Sequence, residues 1–333
     1  MSNNRLVPSM INRFRRTGAV IGPESTISPL AQRGAFYASE WFVDPQNGSD
    51  AADGRDPTTP RATLAALIGN GSSSLAKSGD TIYVVGNITE EVTGWNLLED
   101  ISIIGVSNRP RHADHARDIA TYTTYPGVSG ASWRQASSHT AEAPLLKIRG
   151  QGWHIENILF VPPSDAAAVY LDTNALSNVS EYSAGHARFI NCRFDAGQSG
   201  IEDSGGAGFV EVSNCQFRGS TNGIKTLNTA VAIPLCWIVR DNIFMDNTNH
   251  IVCSASRWVV KGNVSGKFTT LGFSLAAVSS QGEYNSVHAN YLSGDYDAGY
   301  LGGSNDDWAG NYSMDVTSAE VGAEGLTILA PVA

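Results

Sequence analysis

Two short phrases decide the fold: residues 188–194 read RFINCRF, and residues 210–217 read VEVSNCQF. Each joins an apolar run to an asparagine and then to a second apolar run. The phrase returns as WIVRDNIF at 237–244 and as WVVKGNV at 258–264, with weaker copies further on. From Asn191 onward the asparagines of these phrases lie 23, 28, 21, 27 and 21 residues apart. Self-similarity at such a period indicates stacked structural repeats.

A repeat of this length that holds two or three short alternating strands is typical of one coil of a parallel β-solenoid. Leucine-rich repeats share the period, but they need a Leu-x-x-Leu-x-Leu frame that this sequence lacks. About seven or eight coils, each adding about 4.8 Å, would build a rod about 35–40 Å long. The composition agrees, because 34 glycines and only 16% charged residues suit many short strands and turns. The same values exclude a disordered chain.

Equivalent positions of successive coils are expected to stack along the rod. An asparagine at the tight bend between two strands tolerates left-handed dihedral angles and can bond to the asparagine of the next coil. The cysteine that follows should lie in the core, and the phenylalanine beyond it should build an aromatic ladder. The predicted ladders are Asn191, Asn214, Asn242 and Asn263, then Cys192 and Cys215, then Phe194, Phe217 and Phe244.

The segment before the repeats carries a set of short motifs. They are WFVDP (41–45), NGSD (47–50), DG (53–54), PRATL (60–64) and SGDTIYV (78–84). Together they resemble the entry to right-handed parallel β-helices of the pectate-lyase-like group. That group includes polysaccharide lyases and many phage tail and virion proteins, and the chain is most like a virion β-helix of the decoration or tail-fibre type. The resemblance is good over residues 41–90 and rests on the coil pattern from there to residue 316.

The resemblance implies an all-β chain that forms a right-handed, single-stranded parallel β-helix. Residues 41–316 are expected to form it, with 41–90 as the N-terminal cap and 105–145 as a polar loop insertion. An extended arm is expected at 1–40, and a segment that caps the last coil at 317–333.

A short helix is expected inside the N-terminal cap. Thr59 is predicted to cap it, with Pro60 at its first helical position. The apolar residues that follow would then cover the open end of the first coil and hide its unpaired strand edges.

Charge is distributed unevenly along the chain. The formal net charge of -10 argues against general nucleic-acid binding, and no apolar run is long enough to span a membrane. Residues 268–333 contain eight acids and no lysine or arginine, whereas residues 1–40 contain five arginines and two acids. Either these are solvated surfaces, or the basic arm docks on an acidic partner surface such as a neighbouring copy. The arginines of this candidate arm are Arg5, Arg13, Arg15, Arg16 and Arg33.

Carboxylates near the C-terminal end are weak candidates for catalysis. Glycosidases need two carboxylates about 5–10 Å apart, and lyases need a base and usually bound Ca²⁺. The candidates are Asp295, Asp297, Asp306 and Asp307. The sequence lacks the Gly-His-Gly and Arg-Ile-Lys signatures of polygalacturonases, because His186 lies between Gly185 and Ala187, and Lys225 lies in Gly-Ile-Lys-Thr. The alternative is that all four aspartates are turn residues.

No metal site or cofactor is predicted, although Ca²⁺ stays a candidate. His112 and His115 flank Asp114 in a His-x-x-His pair, but no third or fourth zinc ligand is evident. Four oxygen-bearing side chains at three-residue spacing could hold Ca²⁺: Asp44, Asn47, Asp50 and Asp53. The alternative is a framework of Asx-turns without an ion.

Tryptophan supplies the candidate for glycan binding. Most tryptophans begin coil phrases and are expected to lie in the core. Trp133 lies in the polar segment 105–145 and is therefore predicted to be exposed and able to bind a glycan.

Three functions follow from these observations. The first is a non-enzymatic structural protein of a bacteriophage particle, either a capsid decoration or a tail-attached fibre or spike subunit, anchored through its arm. It would contact other virion proteins and form a homotrimer, because parallel rods of this group pack around a threefold axis. The second is a polysaccharide lyase or depolymerase, and the third a glycan-binding adhesin that contacts a host surface glycan. Without a signal peptide, the chain is expected to be made in the host cytoplasm and to reside in the virion.

Overall fold

The computed structural model describes residues 38–69, 73–106, 131–135, 137–173, 184–226, 234–275, 284–294, 299–302, 305–316 and 327–328. Several predictions therefore fall outside the described residues. These are the arm with Arg5, Arg13, Arg15, Arg16 and Arg33, the His112, Asp114 and His115 group, and the acids Asp295 and Asp297. Within the described residues, no helix is long and apolar enough to cross a membrane.

The described chain forms one short helix, α1 (Ala65–Ile68), and a series of short strands. The first strands are β1 (Glu40–Val43), β2 (Thr81–Val84), β3 (Asn87–Ile88), β4 (Val92–Thr93), β5 (Ser102–Gly105), β6 (Ala131–Arg134), β7 (Leu146–Ile148), β8 (His154–Glu156) and β9 (Ile158–Val161). The next are β10 (Ala167–Leu171), β11 (Arg188–Ile190), β12 (Arg193–Asp195), β13 (Ser199–Asp203), β14 (Glu211–Ser213), β15 (Gln216–Arg218), β16 (Asn222–Thr226), β17 (Ile238–Arg240) and β18 (Ile243–Met245). The last are β19 (Asn247–Val252), β20 (Val259–Lys261), β21 (Val264–Ser265), β22 (Phe268–Ser274), β23 (Ser286–His288), β24 (Tyr291–Gly294), β25 (Asp307–Ala309), β26 (Asn311–Val316) and β27 (Thr327–Ile328).

The strands build three parallel sheets that run the length of the rod. Sheet A has the order β1-β2-β5-β8-β11-β14-β17-β20-β23-β25. Sheet B runs from β3 through β6, β9, β12, β15, β18, β21, β24 and β26 to β27, and sheet C runs from β4 through β7, β10, β13, β16 and β19 to β22. The chain visits A, B and C in turn, so each circuit is one coil. This is the predicted all-β, right-handed parallel β-helix, with the usual handedness of parallel crossovers.

Two boundaries differ from the sequence prediction or refine it. The segment 105–145 is not one loop, because β6 lies within it and pairs in parallel with β3 and β9. The residues on both sides of β6 are polar, so the sequence did not indicate a strand there. At the other end, β27 pairs antiparallel with β26, so part of the predicted C-terminal segment 317–333 lies against the last coil.

The N-terminal cap contains the expected helix at a different position. α1 begins at Ala65, and the predicted cap at Thr59 is wrong, because the Thr59 hydroxyl donates to Asp53 instead. The carboxylate of Glu90 accepts the first helical amides, from Leu64 at 2.6 Å and from Ala65 at 3.0 Å. Burial raises the pKa of Glu90, although these two amide bonds act in the opposite direction. A side chain distant in sequence therefore satisfies the helix start.

The aromatic ladder is confirmed. Phe194 and Phe217 stack with ring centroids 4.7 Å apart, and Phe217 and Phe244 stack at 4.8 Å. The stack continues toward the N-terminal end through Phe160 and Trp133. All these rings are fully buried, so they fill the core along one wall of sheet B.

The cysteine ladder is also confirmed. Cys192 and Cys215 occupy the same position in successive coils, and both thiols are fully buried. Burial raises the pKa of Cys192, and the neighbouring Cys215 thiol raises it further. These thiols are therefore core groups and not nucleophiles.

The predicted asparagine ladder is wrong in its register and consists of two columns. Asn191 and Asn214 occupy the bend with φ of 54° and 55°, and Asn191 donates to Asn157 of the preceding coil. In later coils the bend is taken by Asp241 and Gly262, also at positive φ. The bend itself requires a left-handed residue, whereas the next position points inward and accepts either a thiol or an amide. Asn242 and Asn263 lie at this inner position, in line with Cys215, and Asn290 and Asn311 continue it.

Each amide of the inner column bonds along the rod. The Asn263 Oδ1 accepts from the backbone and side-chain amides of Asn242, both at 3.0 Å. The Asn263 Nδ2 donates to the Val239 carbonyl at 2.9 Å and to the Asn290 Oδ1 at 3.0 Å. The side chain is fully buried, so these groups have no access to solvent.

We expect Asn263→Leu to lower the free energy of unfolding by about 3 kcal/mol, because it removes buried hydrogen bonds to three neighbours, Asn242, Val239 and Asn290. Chemical denaturation monitored by circular dichroism measures the change. The control is Gln46→Leu at an exposed amide of the N-terminal cap, which should cost less than about 1 kcal/mol. Equal losses in both variants would contradict the structural role of the column.

Candidate functional site

The outer face of sheet C presents one polar side chain per coil in a continuous column. The sheet C column consists of Thr93, Lys147, Tyr170, Glu202 and Lys225, which are direct partners in successive strands. Side chains alternate between the two faces of a strand, so the register that buries their neighbours directs these five outward. Five coils place the ends of the column about 19 Å apart at the usual strand spacing of about 4.8 Å.

A cleft of about 280 Å³ opens beside the N-terminal end of this column. It lies where the chain turns from sheet B into sheet C. Its lining consists of Glu91, Thr93, residues 140–144 and Lys147. The lining combines the small apolar side chains of Ala141, Ala143 and Pro144 with two carboxylates, two hydroxyls and one ammonium group.

Three side chains from successive coils meet at the edge of the cleft. His139 lies between Glu91 and Asp165, with Nδ1 2.9 Å from the Glu91 Oε1 and Nε2 3.0 Å from the Asp165 Oδ1. Glu91 precedes β4, His139 precedes β7 and Asp165 precedes β10, so each comes from the same turn of its coil. We call these residues the carboxylate–histidine trio.

The environment of the trio favours the charged form of each of its groups. Partial burial lowers the pKa of His139, but its hydrogen bonds to Glu91 and Asp165 outweigh this and raise the pKa above its usual value. Burial raises the pKa of Glu91, but bonds from the Thr140 amide and His139 outweigh it and lower the pKa. Asp165 follows the same pattern, with the Glu142 amide and His139 lowering its pKa. All three shifts act in the direction of an imidazolium between two carboxylates.

The remainder of the sheet C column is also paired. The Lys147 ammonium lies 5.4 Å from the centroid of the Tyr170 ring. Glu202 accepts from the Ser199 hydroxyl at 2.9 Å and lies 3.7 Å from the Lys225 ammonium. Pairing of this kind fixes the side chains in position and leaves further acceptor and donor sites for a bound molecule.

This chemistry suits binding better than acid catalysis. A glycosidase needs one carboxylic acid whose pKa is raised near neutrality, whereas the pKa values of Glu91 and Asp165 are lowered. Asp203 has the raised pKa, about 7, but its side chain is fully buried beneath the sheet and cannot reach a ligand. Ionised carboxylates, lysines and hydroxyls along a rigid face are the groups that hydrogen-bond a polyhydroxylated chain.

The structure does not support Asp306 and Asp307 as a catalytic pair. Asp306 Oδ1 accepts from the backbone and side-chain amides of Asn285, at 2.9 and 2.8 Å. It therefore closes a core ladder at the last coil. Asp307 begins β25 with an exposed side chain.

The prediction that Trp133 is an exposed glycan contact is wrong. Its ring is fully buried, stacks on Phe160 at 5.7 Å, and donates from Nε1 to the Glu90 carbonyl at 2.8 Å. Trp133 belongs to β6, the strand that the polar segment concealed, and the inward face of that strand extends the aromatic ladder.

The aspartates of the N-terminal cap accept backbone hydrogen bonds. Asp44 accepts from the amides of Gln46 and Asn47, which is the Asx-turn of the alternative prediction. Asp50 instead accepts from the amides of Ala62 and Thr63, which are distant in sequence. Among the described residues, no group of three or more His, Cys, Asp or Glu side chains is arranged to hold a metal ion.

Sequence reasoning missed the trio. His139 is 48 residues from Glu91 and 26 from Asp165, so no local motif joins them. The available signal was the coil period, which places turns of successive coils side by side once every strand is identified.

Comparison with solved structures found β-helix proteins at low sequence identity. The XylC protein in its complex with xylose is 11% identical to this chain. The match covers 83% of this chain and 71% of the XylC chain, with a TM-score of 0.43. Pectate lyase Pel9A is 11% identical, with coverages of 86% and 78% and a TM-score of 0.41. The Dettilon tailspike protein is 15% identical with a TM-score of 0.35; the match covers 72% of this chain and about half, 54%, of the tailspike. No protein-family model and no curated protein matches the sequence.

These likenesses concern the fold alone. The order of the three parallel sheets and the capped first coil define the class to which the chain belongs. It is a right-handed parallel β-helix protein.

Proposed function

We propose that this protein is a non-enzymatic structural subunit of a bacteriophage particle that binds a polysaccharide along the outer face of sheet C. One observation carries the binding role. The trio, Lys147, Tyr170, Glu202 and Lys225 form a continuous line of paired, polar side chains beside a cleft. Its length of about 19 Å suits several sugar units rather than a single small ligand.

The binding role predicts a specific loss in one variant. Lys147→Ala should weaken polysaccharide binding about tenfold, because a charge-assisted hydrogen bond contributes about 1.5 kcal/mol. Titration calorimetry against a panel of anionic and neutral polysaccharides, with and without Ca²⁺, measures it. The matched control is Lys261→Ala on the exposed outer face of sheet A, which should leave the affinity unchanged. Absence of binding to every polysaccharide, or an equal loss in the control, would refute the role.

The particle role rests on the charge distribution of the sequence. Residues 1–40 are basic and residues 268–333 carry no lysine or arginine, which suits anchoring of the arm on acidic proteins of a capsid or tail. The partners are then other virion proteins, and the location is the virion.

Deletion of residues 1–35 tests this anchoring. The β-helix should still fold, because β1 begins at Glu40 and pairs with β2 inside the described chain. Incorporation into the particle should be lost. Circular dichroism measures the first result, and assembly in infected cells measures the second. A truncated protein that fails to fold, or that still enters particles, would contradict the role of the arm.

A depolymerase is the second candidate, and the trio favours it. A histidine held between two carboxylates is an arrangement that can position a group for proton transfer. If the protein cleaves one of the polysaccharides in the same panel and His139→Gln abolishes the cleavage, this function replaces the non-enzymatic one.

A further inference from the structure

One edge of the rod carries bulky residues in a left-handed backbone conformation. At this corner, the residue two positions before the strand of sheet A has a positive φ in eight successive coils, from β2 to β23, and in the last five it is neither glycine nor aspartate. We name these residues the corner ridge. It consists of His186, Phe209, Cys236, Arg257 and Tyr284, with φ of 58°, 58°, 57°, 58° and 65°.

Glycine is the residue that such a position favours. Gly79 and Gly152 occupy it in earlier coils, with Asp100 in the coil between them, so the turn itself does not need a bulky side chain. A residue with a Cβ costs about 1 kcal/mol or more in this conformation. This cost recurs in five successive coils. Residues held in such unfavourable backbone conformations are concentrated at functional positions.

The ridge side chains project into solvent. Phe209 is 57% exposed and Tyr284 is 65% exposed. His186 and Arg257 are also exposed, and the His186 ring stacks on Phe209 at 5.0 Å. In the middle coil, Leu235 and Ile238 flank the ridge, and each is 41% exposed. Aromatic and arginine side chains with an aliphatic centre are the composition of protein interface hot spots.

We propose that two copies of this chain pack side by side and antiparallel through the corner ridge. The spacing of the corner ridge indicates that its partner is a second copy of this chain. Its side chains repeat once per coil, at about 4.8 Å, in a line parallel to the rod. A second rod with the same repeat can contact every one of them, whereas a partner of another period would match only one or two.

The order of residues selects the antiparallel direction. A twofold axis perpendicular to the rods, through the middle coil, sets Cys236 opposite the partner's Cys236. Phe209 then faces the partner's Arg257, a cation–π pair, and His186 faces the partner's Tyr284. The contact is self-complementary, as an isologous interface requires.

The neighbouring outer column of sheet A agrees with this direction. Ile238 lies on the same middle coil, three coils after His154 and three coils before Asp307. The twofold axis therefore places His154 opposite the partner's Asp307 at each end of the contact. A threefold axis parallel to the rods, as the resemblance implies, would instead set each Arg257 beside another Arg257.

Light scattering of the full chain tests the contact. We expect a dimer in the wild type, and a monomer after Phe209→Asp or Tyr284→Asp, each with an unchanged circular dichroism spectrum. Tyr291→Asp, at a tyrosine on sheet B that is 48% exposed, is the matched control and should stay dimeric. A wild-type monomer or trimer, or a Phe209→Asp protein that remains dimeric, overturns the proposal.

An introduced charge pair at two ridge residues tests the direction. Phe209→Arg alone should dissociate the dimer, because the new arginine then faces the partner's Arg257. Adding Arg257→Glu should restore the dimer, since the new arginine meets the new glutamate only in the antiparallel arrangement, whereas a parallel contact would set like charges beside each other. Failure of the double variant to recover overturns that arrangement. Polysaccharide affinity measured on the same proteins stays unchanged, so a failure here is distinct from a failure of the glycan-binding role.

Cys236 supplies a direct probe. It is half-buried, whereas Cys192, Cys215 and Cys253 are fully buried. A short bis-maleimide should therefore link two copies, and Cys236→Ser should abolish the covalent dimer. A covalent dimer that persists in Cys236→Ser would count against a contact centred on the middle coil.

Discussion

Phe217→Ala should lower the free energy of unfolding by about 3–5 kcal/mol, the range for truncating a fully buried aromatic ring. Phe217 has no exposed surface and lies between the rings of Phe194 and Phe244, 4.7 and 4.8 Å away. Those rings are held at the spacing of the coils by the backbone hydrogen bonds of sheet B. They cannot move along the rod to close a cavity without breaking that register, so the loss should lie near the upper end of the range.

The opposite wall of the core cannot fill the cavity either. Gly200 faces the Phe217 ring, and a Cβ placed on Gly200 would lie 2.7 Å from the Phe217 Cδ1. Gly223 faces Phe244 in the next coil in the same way, at 3.0 Å. Sheet C therefore contributes only backbone where sheet B contributes a phenyl ring. With neither wall able to collapse, the cavity term adds to the lost transfer free energy.

Tyr291→Ala is the matched control for this prediction. Tyr291 also stacks on a ring of the next coil, Tyr312, at 5.2 Å, but on the outer face of sheet B, where it is 48% exposed. Its truncation should cost less than about 1 kcal/mol. Guanidinium denaturation compares the two variants. Similar losses would show that stacking alone, and not burial in an unyielding core, determines the effect.

The aromatic ladder was predictable because its members share one position of a repeating phrase. Phe194, Phe217 and Phe244 each follow the bend by a fixed number of residues, and period-2 alternation directs them inward. The register of the asparagine ladder was predicted wrongly for a related reason. Asn214 and Asn242 look equivalent in their phrases, yet Asn214 forms the bend and Asn242 lies one residue beyond it. A sequence pattern cannot reveal this shift of one residue, because asparagine fits both the bend and the inner position that follows it.

The candidate site was less predictable than the fold. β6 is surrounded by polar residues, so one coil was missed and Trp133 was assigned to a loop. Without that strand, the turn that holds His139 could not be aligned with those of Glu91 and Asp165. Contacts between coils depend on the complete register of the solenoid, whereas the fold needs only enough copies of the repeat.

The second large effect concerns Asp203, a carboxyl in the core at the end of β13. Its side chain is fully buried, and it accepts from the amides of Gly205, Gly206 and Ala207. In the described chain, its Oδ2 and the Oγ1 of its register partner Thr226 find no hydrogen-bond partner. Burial raises the pKa of Asp203 to about 7, against the opposing effect of the three amides. The neutral acid is thus the form that the core accommodates.

Because the folded pKa lies above the unfolded value of 3.8, the folded state binds the extra proton between these two values. The contribution of Asp203 to stability is therefore full at low pH, falls as pH rises from about 4 to about 7, and levels off above the folded pKa. A difference of about three pKa units corresponds to a loss on the order of 4 kcal/mol. Ionisation places a buried charge without a cation beside it, which is the physical origin of the loss.

Asp203→Asn should remove this dependence. The amide oxygen can still accept from the backbone amides, and asparagine has nearly the same size and shape as aspartic acid, so the folded core keeps its packing. The variant and the wild type should have similar stability near pH 4, and the variant should be more stable by several kcal/mol at pH 8. Denaturation at a series of pH values measures the difference. Glu99→Gln removes the same formal charge at an exposed position outside the proposed contacts, and its difference from the wild type should vary little with pH. If the stability difference for Asp203→Asn varies as little with pH as that for Glu99→Gln, Asp203 is ionised in the folded core, and a cation or solvent reaches its carboxyl group.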